Sequence, residues 1–381
     1  MSKVESGMSF ADIAERQAEL DSAPVQALLS LMPPDVRRCF CSQFIGGWIA
    51  ETESVRDWFA GNSELARLVL GNPGSALAFE ILYERTTREP ADRYFLECRA
   101  GYRVFRRLWA LHSHLPELIT ESPQDERAFL VDNMGSGPGR DMMGVLAEHK
   151  GLRERTDVRC IDTDPAALDI GRRMAAELGL SRCVSFDPVS MFAAKPRSAD
   201  VVLLIGILCP IPLRACPQIL RRLRTYCRPG GTLVFSTALT SMVEGDPVSD
   251  FIMRILEWHM NYKTVDESVG LAASAGWKLK GVFFDEPLRY HCMVVAQRQD
   301  RVAQLSPRGA RRHTAAMLPP SLQSPKDSLG CEPTDDPRRQ QPFEAAFAGA
   351  DSVLEHDAGD GGLLEVYPRG IGAGDQPGRE I

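Results

Sequence analysis

Three glycines spaced two apart, Gly135, Gly137 and Gly139, follow the apolar run from Ala128 to Val131 in VDNMGSGPGRDM. A strand that ends in bare backbone lets a ligand lie against the main chain. It also delivers backbone N–H groups to a helix N-terminus, where partial positive charge collects. The spacing is G-x-G-x-G, with Arg140 in the sixth position and the third glycine one residue earlier than in the dinucleotide fingerprint. The loop therefore departs from a pyrophosphate cradle, and a tight turn without a ligand is the competing explanation. A second chemical mark is Asp162, at the end of a strand-like run in VRCIDTDPAALDIG, about one strand–helix–strand step downstream. A carboxylate at that tip can accept both hydroxyl hydrogens of a ribose; the plainer alternative is a loop-end acid. Thr163, Asp164 and Pro165 then open a helix, Asp164 as its N-cap and Pro165 as its first residue.

The elements that must carry these groups fall into three textures along 381 residues. Up to about 122 the chain is helical. Ser22 and Pro24 open a helix through Leu31, broken by Pro33-Pro34, and RAGYRVFRRLWALHSHLPELI sets Tyr102, Phe105, Leu108, Trp109 and Leu115 on one packing stripe. From about 123 to 298, short β-rich runs (AFLVDNM, DVRCID, CVSF, ADVVLLIGIL, GTLVFST) alternate with helical ones. That alternation predicts a parallel sheet covered on both faces. WKLKGVFFD and YHCMVVAQR, separated by EPLR, close it as an antiparallel pair. The stretch 299–381, rich in Pro, Ser, Gly and charge, is expected to be largely disordered.

Apolar content is 44%, enough for a sizeable core, and the net charge of −7 speaks against nucleic acid or an anionic membrane as the main partner. Ten cysteines occur without a CxxC, so zinc and dithiol chemistry have no footing, no metal site is expected, and reduced thiols in a cytoplasmic protein are the plain expectation. No signal-peptide-like start and no membrane-length apolar run are present.

In this order, VDNMGSGPGRD, VRCIDTDPAALDIG, SADVVLLIGILCPIPL and LRTYCRPGGTLVFST resemble the class I S-adenosylmethionine-dependent methyltransferases over about 123–298. The resemblance implies an α/β, Rossmann-like seven-stranded sheet, mostly parallel with its last strand antiparallel. It implies S-adenosyl-L-methionine held at the carboxyl ends of strands 1, 2 and 4. Gly135, Ser136, Gly137 and Gly139 would then cradle the methionyl and ribose parts, with Asp162 and Thr163 at the ribose. Ile205 and Gly206 would lie beside the adenosyl and reactive-methyl region. Two positions depart from the family. The usual acid two before the first glycine is Asn133, able to accept a hydrogen bond from the cofactor's ammonium without the ionic part. Asp132 points to the opposite face of the strand. After strand 3, where many members carry an acid for the adenine amine, Ser190 falls near the place, with Asp187 the alternative.

The methyl acceptor leaves less of a mark. The strand-4 end, GILCPIP, lacks the N/D-P-P-Y/F of amino methylation, and Cys209 precedes Pro210 rather than following it. A hydroxyl acceptor needs a base and a carboxylate needs only a clamp. GDPVSDFIMRILEWHMNY places Phe251, Ile255, Trp258, His259 and Tyr262 on an approximate helical stripe, which makes His259 the candidate base and a core histidine the bland alternative. Tyr290 and His291 are weaker candidates. His112 and His114, two apart, lie on different sides of a helix. The front helices suit a cap over the acceptor, with Tyr94, Arg99, Tyr102 and Arg103 available to line it. The expectation is methyl transfer to a small molecule, at oxygen. A protein or RNA acceptor, or a non-catalytic protein with a degenerate pocket, remains open, as does the oligomeric state.

Overall fold

The computed structural model describes residues 10–120 and 127–299. Seven strands form one sheet in the order β3-β2-β1-β4-β5-β7-β6. They are β1 (Phe129–Met134), β2 (Thr156–Ile161), β3 (Val184–Asp187), β4 (Ala199–Leu204), β5 (Cys227–Ala238), β6 (Trp277–Phe284) and β7 (His291–Arg298). The first five pair in parallel, while β7 runs antiparallel between β5 and β6. This is the expected Rossmann-like sheet with its last strand reversed. The Asp285–Tyr290 connection is too short for a crossover helix, so β6 and β7 can only return side by side.

Every residue of β4 is buried, because helices cover both faces of the sheet. Val201 and Leu203 face one core and Val202 and Leu204 the other. The first core is closed by the end of α8 (Arg99–Thr120), by α9 (Arg140–Glu148), α10 (Lys150–Arg153) and α11 (Pro165–Glu177). The second is closed by α12 (Cys216–Leu223) and α15 (Val265–Ser274). Asp164 caps α11 as expected, accepting from the Ala166 N–H at 2.9 Å ahead of Pro165.

A third core belongs to the front helices: α1 (Phe10–Leu20), α2 (Ala23–Leu31), α3 (Pro34–Gly46), α4 (Glu53–Asn62), α5 (Glu64–Gly71), α6 (Ala76–Glu84), α7 (Asp92–Glu97) and the start of α8. They share it with α13 (Ser241–Gly245) and α14 (Pro247–Ile255), which follow β5. Phe251 of α14 meets Phe40 edge-on at 5.3 Å, and the hydroxyls of Tyr94 and Ser249 lie 2.9 Å apart. The front helices and the insertion after β5 are thus one layer, joined to the sheet by α8.

The expected stripe of α8 is corrected in register. Leu108 and Leu115 are buried, but Trp109 is 44% exposed, while Arg103 and Arg107 are buried at 2% and 1%. Aromatic residues alone misplace the face: Trp109 carries Arg106 over its ring at the surface. Among the described residues no helix is long and apolar enough to cross a membrane, and the cysteines are free. The expected disordered tail lies outside the described residues from 300 onward.

Candidate cofactor and acceptor site

The glycine loop joins β1 to α9. Gly135, Gly137 and Gly139 have φ of +64°, +52° and +81°, left-handed conformations that any Cβ would strain. The loop is pinned to the tip of β2. The N–H groups of Gly135 and Ser136 donate to the Ile161 carbonyl at 2.8 and 3.1 Å. The Gly137 N–H donates to Asp162 Oδ2 at 2.7 Å, and the Asp164 N–H to Asp162 Oδ1 at 2.9 Å. Loop and carboxylate therefore meet, as the spacing predicts. Asp162 is buried.

Asn133 is buried at the end of β1, and its Nδ2 donates to Asp141 Oδ1 at 2.8 Å. Asp141 lies in the first turn of α9 and also accepts from the Met142 N–H at 3.0 Å. Burial pushes its carboxyl up to about 6, partly offset by these hydrogen bonds and by Arg107. Asp132 faces the other way, as strand alternation requires, and is held by Arg159 at 2.8 Å and Arg197 at 2.7 Å.

Gly135, Ser136, Asp141 and Ile205 line one cavity with Tyr83 and Arg107 of the helical layer. Arg140 closes its side by pairing with Glu80 and lying over the Tyr83 ring, 4.5 Å from its centroid. Gly206 is buried next to Ile205, with φ +82° and its N–H donated to Ser236 Oγ at 2.8 Å. The remaining candidates are not brought to this cavity. Thr163 is exposed. Ser190 Oγ accepts from the Phe192 N–H at 3.2 Å in a turn after β3, and the Asp187 carboxylate lies 3.6 Å from Arg159.

A second, apolar cavity opens within the helical layer, walled by α5, α6, α7, α8 and the α14 region. Phe79 lines both cavities, so they adjoin. The helical stripe expected to carry His259 is corrected here. The α14 helix stops at Ile255, and the stripe that placed His259 beside Trp258 does not continue. Trp258 lines the cavity, whereas His259 is exposed.

Sequence reasoning missed a buried pair. His291 Nδ1 lies 2.8 Å from Asp285 Oδ2, and the His291 N–H donates to Asp285 Oδ1 at 2.7 Å. Burial raises Asp285 to about 7 and drives His291 well below the usual imidazole range, helped by Arg107 and Arg103. The imidazole is therefore uncharged at neutral pH. Asp141 was missed too, although an acid in the turn after a glycine loop is visible in GRDM. His114 stacks on Phe283 at 4.1 Å, while His112 is buried against α9. Among the described residues no group of three or more His, Cys, Asp or Glu could hold a metal ion.

No family model matches the chain. Among solved structures, a possible exported protein from Bordetella parapertussis superposes with a TM-score of 0.50, at 16% identity over 77% of this chain and 100% of that one. The S-adenosylmethionine-dependent methyltransferase SibL, in its apo form, matches at 18% identity over 76% and 73%, with a TM-score of 0.45. The pyocyanin biosynthetic protein PhzM matches at 21% over 70% and 76%, with a TM-score of 0.42. At such identities a likeness speaks of architecture alone, and the architecture of this chain is the Rossmann-like seven-stranded sheet with one reversed strand.

Proposed function

We propose that the protein is an S-adenosyl-L-methionine-dependent methyltransferase acting on a small-molecule acceptor at oxygen, with the front helices as the cap over that acceptor. The observation that carries this is the convergence of the left-handed glycine loop and the Asp162 carboxylate on one another. A Cβ at any of the three glycines would strain the loop, which leaves bare main chain where this reading puts the cofactor.

In this proposal Asp162 binds the ribose diol while keeping the loop in place, with Thr163 beside it. Gly135, Ser136, Gly137 and Gly139 present main chain to the methionyl and ribose parts. Asp141, aligned by Asn133, supplies the carboxylate that position 133 lacks and meets the ammonium group. Ile205 and Gly206 flank the adenosyl and methyl region. When bound, the cofactor supplies an activated methyl group on a sulfonium. The chain's own contribution is to hold the acceptor in line and to keep water out, which is where most of the rate gain of a displacement arises.

Calorimetric titration with S-adenosylhomocysteine tests this proposal. Saturable binding at one site is expected. A well-folded sample that takes up none would instead make the protein a binding or regulatory one with a degenerate pocket.

A further inference from the structure

Arg103 is 2% exposed, yet among the described residues its guanidinium is in hydrogen-bond or ion-pair contact with no carboxylate. Its Nε donates to the Ala100 carbonyl of its own helix at 3.1 Å. Its two terminal nitrogens face the thioether sulfurs of Met242 and of Met253, the latter at 4.0 Å. Thioethers are weak acceptors, and burying a charge on such partners is unfavourable. The carboxylates that feel its field are hydrogen-bonded elsewhere. Asp246 accepts from the Ala100 N–H and from Ser249 Oγ, both at 2.8 Å. Asp285 is held against His291. Asp250, on α14 with Met253, accepts from the Tyr262 hydroxyl at 2.6 Å and lies 4.0 Å from Arg254. Arg103 opens instead on the apolar cavity, among Phe79, Leu82, Phe95, Val104 and Trp258, and is the one charged residue of its lining.

We infer that the acceptor is a small apolar carboxylic acid, its carboxylate paired with Arg103 and its hydrocarbon part in this cavity; the inference rests on the proposed methyl transfer. A guanidinium matches a carboxylate in two parallel hydrogen bonds, which supplies the acceptor oxygens that the two thioethers do not. Among the described residues the lining contains no Asp, Glu, His or Lys to serve as a base, and Ser249 is committed to Asp246. A hydroxyl acceptor would have to shed a proton there, whereas a carboxylate arrives ionised. One of its oxygens forms the O–CH3 bond of a methyl ester as the S–CH3 bond breaks. The electron pair remains on sulfur, and no proton moves. Anion and sulfonium lose their charges together, so apolar walls favour the transition state over the separated ions.

The test is calorimetry of the full chain, saturated with S-adenosylhomocysteine, against benzoate, phenylacetate and octanoate, each beside its primary amide. Labelled methyl transfer to the same acids follows. The expected result is that at least one acid binds and yields a base-labile ester, while its amide, the same shape without charge, does not bind. Arg103→Met fits between the two methionines and is expected to weaken acid binding at least about tenfold, with S-adenosylhomocysteine affinity unchanged. Arg103→Lys keeps the charge without the fork and is expected to recover part of it. Amides binding as well as acids, no acid binding, or undiminished acid binding in Arg103→Met would each overturn the inference while leaving the methyltransferase proposal standing. Failure of the wild type to bind S-adenosylhomocysteine would instead remove the proposal beneath it.

Discussion

Asn133 Nδ2 donates to Asp141 Oδ1 across 2.8 Å, joining the end of a strand to the first turn of the helix beyond the glycine loop. The acid absent from the strand is thereby present in the cavity, one hydrogen bond away.

If that carboxylate meets the cofactor's ammonium, Asp141→Asn weakens S-adenosylhomocysteine by about 10- to 100-fold, as for a charged hydrogen bond. Binding of 5′-methylthioadenosine, which has no ammonium, stays unchanged. Both are read by calorimetry at pH 7.5.

The same residue carries a pH signature. Burial lifts its folded-state carboxyl from 3.8 to about 6, so its ionisation opposes folding. The folded state holds the extra proton between those values, and its contribution to stability is full below about pH 4 and falls until about pH 6. Urea midpoints of Asp141→Asn relative to wild type are expected to be higher at pH 7.5 than at pH 4.5. Affinity for S-adenosylhomocysteine runs the other way in the wild type, rising from pH 5 to 7.5, and is flatter in the variant.

Asp162→Ala removes both the ribose acceptor and the anchor of the Gly137 and Asp164 N–H groups. A loss of about 1.5–3 kcal/mol in cofactor binding is expected, or roughly 10- to 100-fold. Unchanged affinity in a folded variant would remove Asp162 from the ribose.

Gly139→Ala places a Cβ 2.5 Å from Cys160 Sγ at a φ of +81°. The backbone alone costs about 1–2 kcal/mol, and the clash adds to it. Combining it with Cys160→Ala is expected to restore the clash part and not the backbone part, measured by chemical denaturation.

Asp285→Ala leaves the His291 N–H and Nδ1 without their partner in a buried site. A loss of about 1–3 kcal/mol in stability is expected, with S-adenosylhomocysteine affinity retained, since neither residue lines the glycine-loop cavity.

Much of this was readable along the chain. Continuous apolar runs such as VVLLI demand burial on both faces, and β4 is buried throughout. Gly135, Gly137 and Gly139 announce a backbone only glycine tolerates, and Asp164-Pro165 announces a helix start. These are local properties, carried by a few consecutive residues. The register of α8 was not readable in the same way. Hydrophobic spacing favoured Trp109, yet the buried face includes Arg103, whose sulfur partner Met242 is 139 residues away. The helical stripe that placed His259 failed for a related reason: it assumed a helix that ends at Ile255.

The amino-acid order by itself determined the sheet, the bare loop and the carboxylate beside it, because φ restrictions, strand alternation and apolar runs act between near neighbours. Only the tertiary structure decided that Asp141 lines the glycine-loop cavity, that His259 faces solvent, and that a guanidinium looks into an apolar chamber. The last of these depends on packing between distant segments, Arg103 meeting Met242 and Met253 from far along the chain, and such packing is set by shape that no local pattern encodes.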